Sequence, residues 1–168
     1  MKFPFSPATA LLLISSAFLF DLAGCTKSNS SNSSTGSMSA SLGGAAWASN
    51  YPITAIYTSA SQEFQLESFK VVSGDTTGFA IRFYGPVTLN QALSSTSTNI
   101  DIEYANSLGD SLYSSGAFSG HSTLTITSYD STGHTIGGTF GGVLYAVTGG
   151  IDSTVVTNGT FSTPFTAD

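Results

Sequence analysis

Apolar and polar residues alternate one for one along Asn99-Ile100-Asp101-Ile102-Glu103-Tyr104, and this period of two constrains the fold more than any other feature of the chain. Successive side chains of an extended strand point to opposite faces. Ile100, Ile102 and Tyr104 therefore face one way and Asp101 and Glu103 the other, the pattern of a half-buried antiparallel strand. Phe79, Ile81 and Phe83 repeat it, as do Leu124 and Ile126, which β-branched Thr123, Thr125 and Thr127 flank. Further strands are predicted over 45–49, 53–58, 63–72, 135–147 and 154–161, punctuated by Gly or Asp-Ser/Thr clusters. About eight strands at this spacing predict an all-β fold, a single antiparallel β-sandwich or flattened barrel.

Several places resist a plain strand. Phe64 and Leu66 share a face, but Phe69 and Val71 fall out of phase with them, which predicts a bulge near Ser68. The pairs Gly137-Gly138 and Gly141-Gly142 predict a bend, a bulge or a close backbone approach. Asn158-Gly159 has the composition of a two-residue hairpin turn, and 89–93 could make one short helical turn.

The start of the chain is of another kind. Lys2, an apolar stretch over 8–20 and the small residues before Cys25 are the parts of a secretory signal, and Leu22-Ala23-Gly24-Cys25 looks like a bacterial lipobox. The expectation is cleavage between Gly24 and Cys25, with acyl chains on Cys25, the only cysteine. The alternative, an uncleaved membrane helix over 8–24, is short of the roughly 20 apolar residues a span needs. Ser15, Ser16 and Asp21 also interrupt it. Two or three acyl chains anchor stably, at about 0.8 kcal/mol per buried methylene. The polar tract that follows lacks apolar periodicity and is expected to be a flexible tether with a reach of about 20 Å. The organisation expected is a signal peptide over 1–24, a lipidated Cys25 with tether over 25–41, and a β-domain over 42–168.

Composition narrows the partners. Charged residues make up 8% of the chain and the net charge is −6, so the surface must be covered by Ser, Thr, Asn and Gly. Past the signal, Lys27, Lys70 and Arg82 are the only cations. They cannot form the clustered basic face that nucleic acid requires, and they offer little to anionic headgroups. With Cys25 acylated, no thiol is left for a disulfide or metal, and no cofactor motif occurs.

Gly43-Gly44-Ala45-Ala46-Trp47, the run from Ser122 through Thr127 to Asp130, Gly138-Thr139-Phe140 and Thr157-Asn158-Gly159-Thr160-Phe161 follow one another in that order. Together with the lipobox and tether, this resembles the small, functionally uncharacterised outer-membrane lipoproteins of diderm bacteria. The resemblance covers nearly all of the chain after the signal. It implies location and fold and carries no catalytic residue. The tract over 84–99 departs from the group's pattern. No acidic run follows Cys25, which favours the periplasmic side of the outer membrane over surface exposure.

Four sets of residues bear on chemistry. His121 and His134 are the only histidines; each neighbours a glycine at an expected turn end, and no ligand spacing for zinc or calcium surrounds them. Asp101 and Glu103 share a strand face about 6.5–7 Å apart, near the separation of glycosidase carboxylates, although catalysis would further need burial of one and a sugar-lined cleft, whereas a solvated face explains them without extra assumptions. Trp47, the sole tryptophan, is expected to plug the core beside small neighbours, the alternative being a sugar-stacking platform. Asp followed by Ser or Thr recurs at Asp75-Thr76, Asp110-Ser111, Asp130-Ser131 and Asp152-Ser153. This resembles the O-glycosylation acceptor motif of some diderm envelope proteins and makes Thr76, Ser111, Ser131 and Ser153 candidates, while turn-forming Asp and Ser are the plainer reading.

The function expected is a non-enzymatic, lipid-anchored envelope protein whose β-domain has a structural or binding role, with the membrane as partner through Cys25 and a protein or glycan partner open. One alternative is a glycan- or small-ligand-binding module of a nutrient-uptake system. Another is a hydrolase using Asp101 and Glu103.

Overall fold

A computed structural model describes residues 36–97, 99–107, 111–117, 120–148 and 151–168. The strands among them are β1 (Ser37–Leu42), β2 (Ala45–Ala48), β3 (Thr54–Thr58), β4 (Glu63–Val72), β5 (Asp75–Tyr84), β6 (Ala92–Ser94), β7 (Ile100–Ser107), β8 (Ser111–Ser114), β9 (His121–Asp130), β10 (Thr135–Ala146), β11 (Ser153–Pro164) and β12 (Thr166–Ala167). All twelve belong to one mixed sheet in the order β12-β3-β4-β5-β7-β8-β10-β11-β1-β2, with β9 paired to β10 and β6 to β9. Strand β10 is the branch point. Thr135 to Val143 pair with β9, whereas Tyr145 and Ala146 pair with β8.

Alternation along the strands builds the core. Phe79, Ile81 and Phe83 of β5 are buried, as are Ile100, Ile102 and Tyr104 of β7 and Leu124 and Ile126 of β9. Phe64 stacks on Phe83 across the β4–β5 pair at 4.9 Å. Phe79 meets Phe140 of β10, a strand that is not its neighbour in the sheet, edge-on at 5.4 Å. Rings from distant stretches of one sheet thus share one cluster. Each fully buried Phe or Leu contributes roughly 1.5–3 kcal/mol, which lets a weakly charged chain hold together by packing and strand pairing.

Several expectations are corrected. The described residues hold twelve strands rather than about eight, because β1, β6, β8 and β12 are short or made of small residues. One pair, β12 with β3, is parallel. The polar tract turns into strand at Ser37, five residues before the expected boundary at 42, since Met38 and Ala40 alternate inward between Ser37, Ser39 and Ser41. The rest of the expected tether and the signal peptide over 1–24 lie outside the described residues.

No bulge occurs near Ser68: β4 pairs with β5 without a break from Glu63 to Val72. Ser68 itself takes the inward position and is fully buried. Phe69 stays on the opposite face, across from Gly78, where an added Cβ would lie 2.7 Å from the Phe69 ring. Asn158-Gly159 is not a hairpin turn. It lies inside β11, which gains one residue there relative to both β10 and β1, and Asn158 takes the left-handed backbone (φ 53°) that asparagine tolerates. The 89–93 stretch makes no helical turn; β6 occupies Ala92–Ser94 and a single 3-10 turn follows at Ser95–Ser97. The glycine pairs of β10 meet their expectation, since register shifts occur between Gly137 and Gly138 against β9 and between Phe140 and Gly142 against β11.

Candidate functional site

A cleft of about 670 Å³ opens where the ends of β1, β2, β4, β5 and β11 meet β7 and β8. Its volume lies within the range of small-molecule sites. Trp47 and Tyr104 are its most buried lining side chains, at 5% and 8% exposure. The Trp47 ring packs edge-on against Phe79 at 4.9 Å and its Nε1 donates to Thr77 Oγ1 at 2.9 Å. This bears out the core placement of Trp47, while its position in the cleft wall makes it a reporter for whatever enters. Tyr113 stands directly across from Tyr104, with ring centroids 6.4 Å apart.

The polar groups of the cleft are partly committed. Tyr113 donates its phenol to Asp152 Oδ2 at 2.9 Å. That hydrogen bond to a carboxylate, followed by burial, pushes the Tyr113 phenol above its ordinary range. Burial also pushes the Tyr104 phenol up, against an opposing hydrogen bond with Thr77. Both tyrosines therefore stay neutral at physiological pH. Half-buried Lys70 and exposed Asp75 supply one charge of each sign, and Ser73 and Asn106 add neutral donors and acceptors. The lining suits a small ligand with an apolar face and hydrogen-bonding edges.

Asp101 and Glu103 lie elsewhere, on the outward face of β7, and neither lines this cleft. Asp101 Oδ1 accepts from Ser114 Oγ at 2.9 Å and Ser115 Oγ at 3.1 Å. Arg82 stands opposite Asp101 in register, yet its nearest carboxylate oxygen is Glu103 Oε2, 3.8 Å from Nη2. Burial first, and then the charge of Asp101, raise the Glu103 carboxyl above its ordinary value, while Arg82 pulls the other way. Glu103 also shares a side-chain hydrogen bond with Asp101. What surrounds them is a row of strand side chains, with Gln65 Nε2 donating to Glu67 Oε1 at 2.7 Å beside it.

Both histidines are exposed. His121 opens β9, and His134 closes the turn after it, in the left-handed region (φ 51°), stacked on Phe165 at 5.2 Å. The same turn is organised by Asp130, whose Oδ1 accepts from the amides of Thr132 and Gly133 at 2.9 Å each. The bond from Gly133, then that from Thr132, hold the Asp130 carboxyl below its ordinary value. Among the described residues no group of three or more His, Cys, Asp or Glu is placed to hold a metal ion.

The acceptor candidates divide. Ser131 is exposed in this turn and Ser153 is exposed at the start of β11. Ser111 opens β8, next to Asp110, which lies outside the described residues. Thr76 is not in an exposed turn: it is half-buried within β5, paired with Val71. Gly24 and Cys25 lie outside the described residues.

Comparison with known proteins finds no matching family model, curated protein or solved structure. The site's chemistry rests on its own residues. Sequence reasoning singled out Trp47 but did not join it to Thr77, Tyr104 and Tyr113. The inward phase of Tyr104 was legible, but Tyr113 lies in a strand the alternation did not reveal, Thr77 precedes the alternating run, and their convergence depends on strands far apart in the chain.

Proposed function

We propose that this chain is a lipid-anchored envelope protein whose β-domain captures a small soluble ligand in the cleft walled by Trp47, Tyr104 and Tyr113. The cleft carries this reading: it combines aromatic walls with Lys70 and Asp75 at a volume of about 670 Å³, and ligand sites pair apolar lining with a few placed polar groups. In this proposal the sheet packs upon itself as a sandwich, consistent with the Phe79–Phe140 contact. The role is binding, without catalysis or cofactor, since the paired carboxylates lie away from the cleft.

The lipobox motif supports the anchoring half of the proposal. Signal peptidase cuts between Gly24 and Cys25, and acyl chains on Cys25 hold the protein at the outer membrane, facing the periplasm, with the residues before Ser37 as tether. Incorporation of labelled palmitate that vanishes in Cys25→Ala tests this. An intact amino terminus without label overturns it. Intact mass of the native protein tests Ser131, Ser153, Ser111 and Thr76 as glycan acceptors: lipid mass alone removes that role.

Trp47 makes the binding half directly measurable. Titration of the protein with a panel of mono- and disaccharides, amino acids and nucleosides, followed by tryptophan emission, is expected to give a saturable shift with one class. Tyr113→Ala is expected to weaken that binding at least tenfold. Absence of any saturable change, together with an unmoved melting temperature across the panel, rules the cleft out as a binding site.

A further inference from the structure

The strand charges of the described residues are segregated. Strands β1, β2, β3, β6, β8, β10, β11 and β12 contain no Asp, Glu, Lys or Arg, and β9 has only Asp130 at its end, whereas the adjacent β4, β5 and β7 carry Glu63, Glu67, Lys70, Asp75, Arg82, Asp101 and Glu103. On the uncharged strands a hydroxyl row crosses the outward face in register. Thr125 of β9 stands opposite Thr139 of β10, which stands opposite Thr160 of β11, which stands opposite Ser39 of β1. The last pair is joined by a 3.0 Å hydroxyl–hydroxyl hydrogen bond.

This face is not flat. A groove of about 400 Å³ lies along it, with Thr123, Thr125, Thr139, Asn158 and Thr160 among its walls and Gly141 adding no side chain between them. Asn158 belongs there because of the extra residue in β11, which puts an exposed carboxamide at the groove while its backbone sits in the left-handed region. Bulges re-aim side chains in this way next to functional sites.

We infer that this groove is a second binding site, separate from the aromatic cleft, and that it takes a neutral glycan chain. An uncharged wall offers nothing to a phosphate, a nucleic acid or an anionic polysaccharide, whose charges would lose hydration without compensation. Hydroxyl and carboxamide groups supply both donors and acceptors, as each sugar hydroxyl requires. The absence of a side chain at Gly141 lets a pyranose approach the strand backbone closely, so that area burial adds to hydrogen bonds of small individual worth. Rows repeated at about 4.8 Å from strand to strand give an extended chain several equivalent contacts.

Affinity electrophoresis of the full protein through gels containing dextran, laminarin, xyloglucan or galactomannan, with polygalacturonate as the charged control, tests the assignment. Retardation is expected in at least one neutral gel and absent in polygalacturonate. Asn158→Gly keeps the backbone geometry and removes the carboxamide, and Thr139→Tyr fills the groove; each is expected to weaken retardation at least tenfold, with Tyr113→Ala in the cleft without effect. No retardation in any neutral gel, retardation unchanged by Asn158→Gly, or retardation abolished by Tyr113→Ala instead, overturns it. Should Thr139→Tyr fail to fold, Asn158→Gly alone decides.

Discussion

Asn50 and Val71 exchange two hydrogen bonds: the Asn50 carboxamide donates to the Val71 carbonyl at 2.8 Å and accepts from the Val71 amide at 2.9 Å. The Asn50 amide also donates to the Phe69 carbonyl at 3.1 Å. Strand β3 pairs with β4 only as far as Glu67, so β4 beyond that point would present unpaired backbone groups. One side chain, between β2 and β3, stands in for the missing strand. The reason is the obligatory pairing of backbone donors and acceptors at a sheet edge.

Asn50→Ala is therefore expected to cost about 1–2 kcal/mol, because water replaces part of the lost pairing at this exposed position. Asn50→Asp is expected to cost more, since a carboxylate accepts from Val71 N but cannot donate to its carbonyl. Urea unfolding of the two variants beside the native chain checks the order. Equal stability of all three would show that this edge needs no cover.

Ser68 and Ser115 make opposite expectations for one substitution. Ser68 Oγ is fully buried and has no hydrogen-bond partner among the described residues, so Ser68→Ala removes a desolvated hydroxyl and is expected to stabilise by about 1 kcal/mol. Ser115 is also buried, but its Oγ accepts from the Ile102 amide and donates to Asp101. Ser115→Ala is expected to destabilise by about 1–3 kcal/mol. Chemical denaturation midpoints of opposite displacement would support both assignments.

Glu103 gives a pH dependence. Burial and the Asp101 charge raise its carboxyl in the folded chain, so the folded state holds this proton more tightly than the unfolded state does. The contribution is fully present below the ordinary glutamate value and is lost as pH rises through the raised folded value. Glu103→Gln is expected to flatten that decline and leave the variant more stable than the native chain at neutral pH. Melting temperatures measured from pH 3 to 8 decide it; parallel curves for the two proteins would refute the shift.

Gly142 sits at a register shift with φ 153°, and an added Cβ would run into the His121 carbonyl and the Cα of Ser122. Both obstacles are backbone atoms of a paired strand and cannot rotate away. Gly142→Ala is expected to destabilise by about 3 kcal/mol. Its thermal unfolding compared with that of Gly43→Ala, where an added Cβ meets nothing within 4 Å, separates steric conflict from backbone preference.

The alternation in 79–84 and 99–104 determined by itself that these segments are strands and which faces they bury, because a period of two is a local property that burial reads directly. The same pattern misled at Ser68, where phase was judged from Phe69 and Val71 as if every apolar residue must turn inward. Phe69 instead covers Gly78 on the other face. It misled again at Asn158-Gly159, since left-handed tolerance serves a bulge as well as a turn. Tertiary structure alone decided that Trp47, Thr77, Tyr104 and Tyr113 share a cleft from which Asp101 and Glu103 are absent, and that Thr125, Thr139, Thr160 and Ser39 fall in one row. Strand neighbours and register are set by pairings between segments tens of residues apart, and a shift of one residue there exchanges every side chain between the two faces.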